Sequence, residues 1–536
     1  MIAREHHAGG DGASADGASA DGMVEFGYSQ TLDRSIGKFA SFAAGVSYIS
    51  ILTGTFQLFY FGFGTGGAPY WWSWPLVFAG QFTVALSFAE LAGRYPVAGS
   101  VYNWSKRLAG GTTSWMAGWM MLTASIVTIT AVVLAYQLVL PQIWSGFQII
   151  GSAADADDAA ANVTILGGLL IVFTTVINAI GVKLMARINS AGVFIELIAA
   201  VLIIVLLAFN IVNPPSVLFD TGGLGEGGSG GYLGVFLVAA LASAYVMYGF
   251  DTASSLGEET VDPRRTAPTA IMRAVIASFV IGGLILLLLI LAAPDLGDPA
   301  YGEKSGGGQL ILLQVLGGPV GTVFLVAIAI AITVCTLAVH TAAIRLMFAM
   351  ARDNALPAGS HLAKIDPVHK TPVIPSILIG VLALLILVVN MGTPEVFTAV
   401  TSVAIIMIYI AYLLVTIPML RRRLRGEWPD PGASGSGYFS LGRFGIVVNV
   451  LAVVWGIAMS VNLAWPREEV YGSGWLAWIA FIFIGIVAGA GLLWYLVRGR
   501  RQVGTLPEHM AQQLEEAHEV DPTLPSPDPR PEGSQA

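Results

Sequence analysis

The sequence contains little charge for its length. Of its 536 residues only 11% are Asp, Glu, Lys or Arg, whereas 55% are hydrophobic, and the mean hydropathy is +0.73. A soluble domain carries roughly 25% charged residues, so the composition excludes an ordinary water-soluble protein of this size. The apolar runs ILGGLLIVFTTVINAIGV and FIELIAAVLIIVLLAFNIV can each cross a bilayer core of about 30 Å. We therefore predict an all-α membrane protein.

Cysteine and histidine are scarce as well. The single cysteine, Cys335, excludes an intrachain disulfide and is interpreted as a buried packing residue. Of the 7 histidines only His340 falls inside a predicted span. The motif H-E-x-x-H and the nucleotide-binding motif GxxxxGK[ST] are both absent from the sequence. We therefore expect no metal ion, no cofactor and no enzyme activity.

Twelve apolar segments are long enough to be membrane spans. Their predicted bounds are 37–62, 72–93, 114–140, 163–182, 188–212, 232–257, 269–293, 319–350, 373–391, 394–419, 444–464 and 474–497. The polar segments 1–32 and 501–536 bury too little apolar surface to fold, so we predict disordered tails.

Basic residues are distributed unequally between the two ends of the spans. If the N-terminus lies on side one, the loops of side two hold only Lys304 and Arg467 of the 26 lysines and arginines. Because basic loops stay in the cytoplasm, we predict that both tails are cytoplasmic. The expected location is the plasma (inner) membrane. The cluster RRRLR at 421–425 is interpreted as a topogenic anchor, not as a nucleic-acid-binding patch.

Two predicted spans are interrupted by glycine beside small polar residues. The first contains Thr53-Gly54-Thr55 and the sixth contains MYGFDTAS at 247–254, with Gly249 at its centre. Helix–helix packing is the alternative explanation for either glycine alone. Unpaired backbone groups are costly in hydrocarbon, however, so breaks survive only where protein or a cavity receives them. Matching breaks in two halves of a chain are typical of inverted-repeat transporters with a site near the midplane.

The polarity of the helix ends predicts the ligand of such a site. The outer half of the first span would begin near Thr55 and point N–H groups towards a carboxylate. The outer half of the sixth span would end near Tyr248 and offer carbonyl groups to an ammonium group. Together the two ends predict a zwitterion such as an amino acid. Asp251 is expected to cap the inner half of the sixth span, with direct substrate contact as the second interpretation.

Ionisable residues within spans are functional candidates because they are costly in lipid. Glu196 follows Arg187 by about 14 Å of helix. We expect Glu196 to bind the coupling proton or to oppose a cationic group, with a hydrogen-bonded structural role as the alternative. His340 is either a second titrating residue or a neutral packing residue. Sodium coupling would instead need oxygen ligands, for which Thr333, Thr336 and Thr341 are available.

Charged residues also gather at the predicted cytoplasmic ends of the spans. We predict an inner ion-pair gate there that is more structural than substrate-binding. Its acidic candidates are Glu90, Glu258 and Glu259, and its basic candidates are Arg94, Arg264 and Arg345.

Three motifs resemble those of amino acid permeases. YGFDTASSLGEETVDPRRTAPTAI (248–271) resembles the helix 6 signature, AELAGRYPVAGSVYNWS (89–105) the helix 2 signature, and RLMFAMARDNALP (345–357) the end of helix 8. On these motifs the chain is identified as a member of the amino acid–polyamine–organocation superfamily over roughly residues 30–500. The GGAP sequence after the first span is similar to the amino acid/choline transporter branch.

The resemblance implies a five-plus-five inverted repeat with discontinuous helices 1 and 6. Residues 33–212 would form the first repeat, 213–425 the second, and 426–500 two further helices. The implied substrate site comprises Thr53, Gly54, Thr55 and Phe56 of helix 1 together with Tyr248, Gly249, Phe250 and Asp251 of helix 6. Thr53 replaces a glycine that is usual in relatives, and Phe250 matches an aromatic that closes over their substrate. Many proton-coupled relatives carry a lysine at the position of Glu196.

We therefore predict a secondary active transporter that works by alternating access. Its substrate would be an amino acid or related amine, and a proton would be its coupling ion, with sodium as the alternative. An amine/choline-type uniporter or exchanger and a transport-like membrane sensor are the competing functions. The lipid bilayer is the expected surrounding, and no nucleic acid partner is expected.

Overall fold

The computed structural model describes residues 34–153, 155–226, 230–392, 394–429 and 438–502. The predicted N-terminal tail lies outside these residues, as does the predicted C-terminal tail from residue 503 onwards. Arg501 and Gln502 belong to a short helix that begins at Arg500, so helical structure extends slightly into the segment predicted as a tail.

The named elements of the described residues are all helices. In the first part of the chain these are α1 Lys38–Ile49, α2 Ile51–Gly66, α3 Ser73–Arg94, α4 Ser100–Leu108, α5 Gly111–Val133, α6 Ala135–Ile143, α7 Ala156–Ile180 and α8 Val182–Ala208. In the second part they are α9 Gly231–Ala244, α10 Thr252–Ser255, α11 Pro263–Ala292, α12 Gly307–Leu316, α13 Gly318–Arg352, α14 Val373–Gly392, α15 Pro394–Leu424, α16 Gly445–Ala464 and α17 Ile479–Trp494. The remaining elements are short helices and 3₁₀ turns, and a π-helical turn follows α17.

Ten helical stretches within the described ranges are long and apolar enough to cross a membrane. The first of them, Lys38–Gly66, combines α1 and α2. The predicted sixth span, 232–257, is not one of the ten because its helix stops at Ala244 and leaves only the short apolar helix α9. The predicted ninth span corresponds to α14, also a short apolar helix. The chain is thus a multi-pass membrane protein whose described elements are helical, and the count of twelve spans stays a prediction.

The helices differ in how they are buried. α13 packs against α1, α5 and α8, and its second half from Val334 to Arg352 is buried throughout. By contrast, α16 and α17 leave large apolar side chains exposed, including Val447, Val454 and Ile486. Exposed apolar faces of this kind suit contact with lipid, since lipid tails are as apolar as these side chains. The second half of α13 therefore lies in the protein interior, and α16 and α17 lie at its periphery.

The start of the described chain is attached to the segment before α11. Ile36 and Thr260 form an isolated parallel β-bridge. The Ser35 and Ile36 N–H groups donate to the Glu259 carbonyl at 3.0 and 2.8 Å, and the Val261 N–H donates to the Ile36 carbonyl at 2.9 Å. These bonds fix the residues before α1 to the turn that follows α10.

Candidate functional site

The first membrane span is interrupted at Ser50. α1 ends at Ile49 and α2 begins at Ile51, and Ser50 between them has φ 41° and ψ 93°, outside the helical region. The predicted break at Thr53-Gly54-Thr55 was therefore misplaced, because all three residues lie inside α2. Gly54 is small for a packing reason, since a Cβ there would lie 2.6 Å from Cγ1 of Val246.

The sixth apolar segment is interrupted between Ala244 and Thr252, around the predicted Gly249. Gly249 has φ +80°, a left-handed conformation that favours glycine. A Cβ at this position would lie 1.8 Å from Cδ1 of Tyr48. Glycine is thus required both by the backbone conformation and by the ring that lies against it.

The two interruptions adjoin each other. Gly249 contacts Tyr48, two residues before the first break, and Gly54, four residues after it, contacts Val246. The rings of Tyr48 and Tyr248 meet edge to face, with centroids 5.9 Å apart. The two interruptions therefore bring backbone groups that lie outside the regular helical hydrogen-bond pattern, and two tyrosine rings, to one buried region.

The carboxylate of Glu196 lies at the start of α2. Its Oε1 atom accepts hydrogen bonds from the Leu52 N–H at 3.0 Å and from the Ser50 hydroxyl at 3.1 Å. Its Oε2 atom is buried and has no hydrogen-bond partner among the described residues. The first N–H groups of a helix have no partner within the helix, and anions are favoured there. The start of α2 was expected to receive a substrate carboxylate, but its Leu52 N–H already donates to the carboxylate of Glu196.

The hydroxyl groups near this break have different surroundings. Thr53 Oγ1 lies 2.6 Å from the Ser50 hydroxyl oxygen. Thr55 Oγ1 is buried and has no partner among the residues that the structure describes. The thiol of Cys335 donates to the Tyr48 carbonyl at 3.6 Å, and so lies at the C-terminal end of α1. Cys335 is buried, as expected, but it also satisfies a carbonyl that the break at Ser50 leaves free.

Asp251 does not cap the helix that it precedes. Its side chain makes no capping hydrogen bond to α10, so the capping prediction was wrong. Its Oδ1 accepts from the Tyr412 hydroxyl at 2.6 Å, and its Oδ2 accepts from the Ser100 hydroxyl at 2.8 Å. The Tyr412 hydroxyl in turn accepts from the Gly249 N–H at 2.9 Å. Tyr412 thereby connects α15 to the interruption, and Asp251 is held by neighbouring helices instead of by its own.

The remaining predicted site residues are all buried. Phe250 packs between the rings of Phe88 and Tyr412, with centroids 6.0 and 5.6 Å away. Phe56 lies beside α12, where its carbonyl accepts from the Gln309 amide at 3.2 Å. The Gly249 carbonyl already accepts one hydrogen bond, from the Thr252 N–H at 3.0 Å. The closing role of Phe250 and substrate contact by Phe56 stay predictions.

His340 lies between α7 and α14, and both of its ring nitrogens have protein partners. Nδ1 is 3.0 Å from the Thr174 hydroxyl, and Nε2 is 3.3 Å from the Ser376 carbonyl. A carbonyl only accepts, so Nε2 carries the proton, and a neutral ring satisfies both contacts when the Thr174 hydroxyl donates to Nδ1 instead of to the Ile171 carbonyl. These contacts favour the packing interpretation over the titrating one.

The threonines proposed for sodium are bonded to different neighbours. Thr333 Oγ1 lies 2.7 Å from the Tyr136 hydroxyl, whereas the Thr341 hydroxyl lies 2.8 Å from Oδ1 of Asn178. The Thr336 hydroxyl lies 2.8 Å from the Ile332 carbonyl of its own helix. These contacts do not bring the three hydroxyls to a common point.

Two buried ion pairs join the turn after α10 to α13. Glu259 binds Nε and Nη2 of Arg345 at 3.3 and 2.8 Å, and all four partners in these pairs are at most 1% exposed. Glu258 pairs with Arg352, not with Arg345, at 2.8 and 3.0 Å. Its Oε1 also accepts from the Ala98 N–H at 2.9 Å. The predicted cluster therefore includes one further arginine, two turns beyond Arg345 on α13.

Glu90 belongs to a separate cluster. Its Oε2 accepts from Arg423 and from the Trp428 indole, the latter at 3.1 Å, and its Oε1 accepts from Leu441 N–H and the Ser440 hydroxyl, both at 3.1 Å. The expected partners Arg94, Arg264 and Arg345 were therefore wrong for this residue. The Arg94 guanidinium lies over the Trp428 ring, 5.1 Å from its centroid. Arg264 lies over the Tyr438 ring, at 5.2 Å.

Several functional candidates were not found from the sequence. Arg352 lies within the quoted motif RLMFAMARDNALP, and Arg423 lies within RRRLR, so both were visible as charges without an assigned partner. Ser50 and Tyr412 give no comparable signal, because a serine before a helix and a tyrosine in an apolar span are both common. Their roles depend on which helices meet.

Comparisons with known proteins agree with this architecture. The amino acid permease family model matches residues 36–488. The chain is 28% identical over 487 residues to the amino-acid permease BAT1 of Arabidopsis thaliana, covering 87% of this chain and 92% of that protein. It is 28% identical over 423 residues to the methylthioribose transporter of Bacillus subtilis, covering 75% and 80%. It is also 26% identical over 388 residues to the branched-chain amino acid permease BcaP of Lactococcus lactis, covering 71% and 80%. Most of the length of the chain is covered by these matches, and it belongs to the amino acid permease family.

Proposed function

We propose that this permease is a secondary active transporter for an amino acid or related amine, driven by a proton gradient through alternating access. The membership of the family and the names of the relatives support transport of a small molecule. The adjoining helix interruptions support a binding site between them, because each interruption frees backbone groups that a charged solute can satisfy. The proposed site includes the backbone at residues 50–53 and 247–250, with Tyr48 and Tyr248 as its walls.

The observation that carries the coupling proposal is the contact between Glu196 and the start of α2. An ionised Glu196 accepts the Leu52 N–H, and this interaction neutralises part of the positive end of the helix. A protonated Glu196 is a weaker acceptor and leaves the helix end to a substrate carboxylate. Proton binding at Glu196 and carboxylate binding at α2 therefore favour each other, and by linkage this coupling is reciprocal.

The inner ion pairs fit the same mechanism. Glu258 and Glu259 fasten the turn after α10 to α13, while the interruption of the sixth segment lies just before that turn. In this proposal the pairs close the cytoplasmic side and separate when the site opens inwards. Twelve spans, the five-plus-five inverted repeat, cytoplasmic termini and a plasma (inner) membrane location belong to the proposal.

Uptake into proteoliposomes tests the function. Radiolabelled amino acids, amines and methylthioribose would be offered with a proton gradient, with a sodium gradient, and with neither. We expect one class of substrate to accumulate against its gradient only when the lumen is more alkaline than the outside. Accumulation driven by sodium alone would contradict proton coupling. Movement that only equilibrates or exchanges substrate would indicate a uniporter or an exchanger.

A variant pair isolates the role of Glu196. Glu196→Gln keeps the shape of the side chain but cannot ionise, so we expect equilibrative binding and exchange to persist while proton-driven accumulation is lost. Asn189→Ala is the matched control, because Asn189 also joins α8 to α1, through a 2.8 Å hydrogen bond from Ser47, but carries no charge. Retained concentrative uptake in the Glu196→Gln variant would contradict the proposal.

A further inference from the structure

A cavity of about 600 Å³ opens at one end of the helix bundle, between α15 and the start of α5. One wall is apolar and half-buried, and consists of side chains on the last turns of α15, including Leu413, Leu414 and Ile417. The opposite wall is formed by the segment from Leu108 to Thr113, which joins α4 to α5. The cavity is not part of the site between the helix interruptions.

Three arginines line the mouth of this cavity. They are Arg421, Arg422 and Arg425, and a single acid, Glu427, lies beside them. The Nε atom of Arg422 donates to the Leu108 carbonyl at 3.2 Å, which fixes that side chain across the cavity. The exposed Arg421 and Arg425 side chains have no hydrogen-bond, ion-pair or ring partner among the described residues. The cavity therefore has an excess of positive charge that the described part of the protein does not balance.

The position of the cavity restricts its occupant. α15 is one of the helices able to cross a membrane, and the arginines lie at its end, where a span meets the headgroup region. The apolar wall lies on the preceding turns of the same helix, at the depth of the lipid tails. An occupant must therefore present negative charge at the mouth and hydrocarbon further in. Basic pockets between spans are suited to anionic lipid headgroups.

We propose that this cavity binds an anionic phospholipid of the membrane leaflet that faces the basic ends of the helices. The lipid phosphate lies among Arg421, Arg422 and Arg425, where guanidinium groups can donate paired hydrogen bonds to phosphate oxygens. One acyl chain lies along Leu413 and Ile417. Glu427 disfavours headgroups that place their negative charge beside it, and a zwitterionic headgroup gains less from the excess of positive charge.

The test uses the full-length chain, purified in detergent and freed of lipid. Its melting temperature would be followed while phosphatidylglycerol or phosphatidylcholine is added, with inorganic phosphate and glycerol phosphate as lipid-free probes. We expect phosphatidylglycerol to raise the melting temperature more than phosphatidylcholine does, and the two soluble probes to leave it unchanged. For Arg421→Gln/Arg425→Gln we expect about thirtyfold weaker apparent phosphatidylglycerol binding.

Two further variants keep the test decisive. Arg265→Gln/Arg443→Gln removes the same number of positive charges from exposed residues outside the cavity and should retain the phosphatidylglycerol response. Thr113→Trp fills the cavity and keeps every charge. It should reduce the rise in melting temperature caused by phosphatidylglycerol, and it provides a test even if the arginine variant does not insert into the membrane. Equal responses to the two lipids, protection by inorganic phosphate alone, or an unchanged response in Thr113→Trp would overturn the proposal.

Discussion

Gly249 and Tyr48 are in direct contact across the two helix interruptions, so closely that a Cβ on Gly249 would overlap the tyrosine ring. Gly249→Ala is therefore expected to abolish uptake and to lower the free energy of unfolding by more than about 2 kcal/mol. A left-handed backbone costs a non-glycine residue about 1–2 kcal/mol, and overpacking adds about 1–3 kcal/mol. Uptake and thermal melting would be measured together. Gly489→Ala is the control, since a Cβ there has no neighbour within 4 Å. Normal uptake by Gly249→Ala would show that the contact is dispensable.

Gly54 and Val246 give a test with a built-in rescue. Gly54→Ala should reduce uptake at least severalfold, because its Cβ would meet both methyl groups of Val246, at 2.6 and 2.7 Å. Val246→Ala removes those methyl groups, so the double variant should recover much of the lost activity. Recovery of uptake by the double variant would show that the loss in Gly54→Ala comes from the steric clash with Val246. If the double variant is no better than Gly54→Ala, Gly54 is needed for something other than space.

The Tyr412 hydroxyl bridges the Gly249 N–H and the Asp251 carboxylate. Tyr412→Phe leaves both groups without this partner, and a buried unsatisfied polar group costs about 1–3 kcal/mol. We expect a lower melting temperature and a raised KM for substrate. Tyr409→Phe, one turn away on the same helix, is the matched control because its buried hydroxyl has no hydrogen-bond partner in the described part of the chain. If the two substitutions have equal effects, the hydrogen bonds of the Tyr412 hydroxyl are not needed for stability or substrate binding.

Removing one member of the Glu259–Arg345 pair should lower the free energy of unfolding more than removing both members does. Removing one partner leaves a buried charge, so Arg345→Met is expected to destabilise the protein by about 3–5 kcal/mol. The double variant Glu259→Gln/Arg345→Met should lose less, since the carboxylate charge that Arg345 binds is removed together with the arginine. Unfolding free energies of the four proteins in the mutant cycle provide the measurement. Additive losses would mean that the two side chains act independently.

His340 is expected to be replaceable without loss of coupling. His340→Gln offers an amide that can still donate to the Ser376 carbonyl, and no described contact joins His340 to either interruption. The pH dependence of proton-driven uptake should therefore match that of the unsubstituted protein, with at most a small fall in melting temperature. A shifted pH profile would instead restore His340 as a coupling residue.

The sequence predicted the features that depend on local composition. Apolar runs of sufficient length predicted the spans, and a glycine beside polar residues predicted the interruption at Gly249, where the backbone needs a positive φ. The first interruption was misplaced because the glycine there serves packing against Val246. The actual position, Ser50, is an ordinary residue held in an unusual conformation by its surroundings, which include Glu196 on another helix. The residues near Ser50 in the sequence do not indicate that Glu196 lies beside it.

Ion-pair partners were harder to predict than the acids themselves. Glu90 and its partner Arg423 are 333 residues apart in the chain, so their contact depends on the arrangement of whole helices. Chain position favoured Arg94, one turn away, but that guanidinium lies over the Trp428 ring instead. The acids could be identified from their positions at the ends of apolar spans, whereas their partners are determined by tertiary packing.

The bridge between Ile36 and Thr260 has a practical consequence for how the protein can be engineered. A fusion tag or truncation that ends at residue 33 leaves every backbone bond of this bridge in place. A deletion through Ile36 removes all three of these hydrogen bonds and detaches the neighbourhood of Glu259 from the residues before α1. Truncations of the amino terminus should therefore stop before residue 34, so that the bridge between Ile36 and Thr260 is kept.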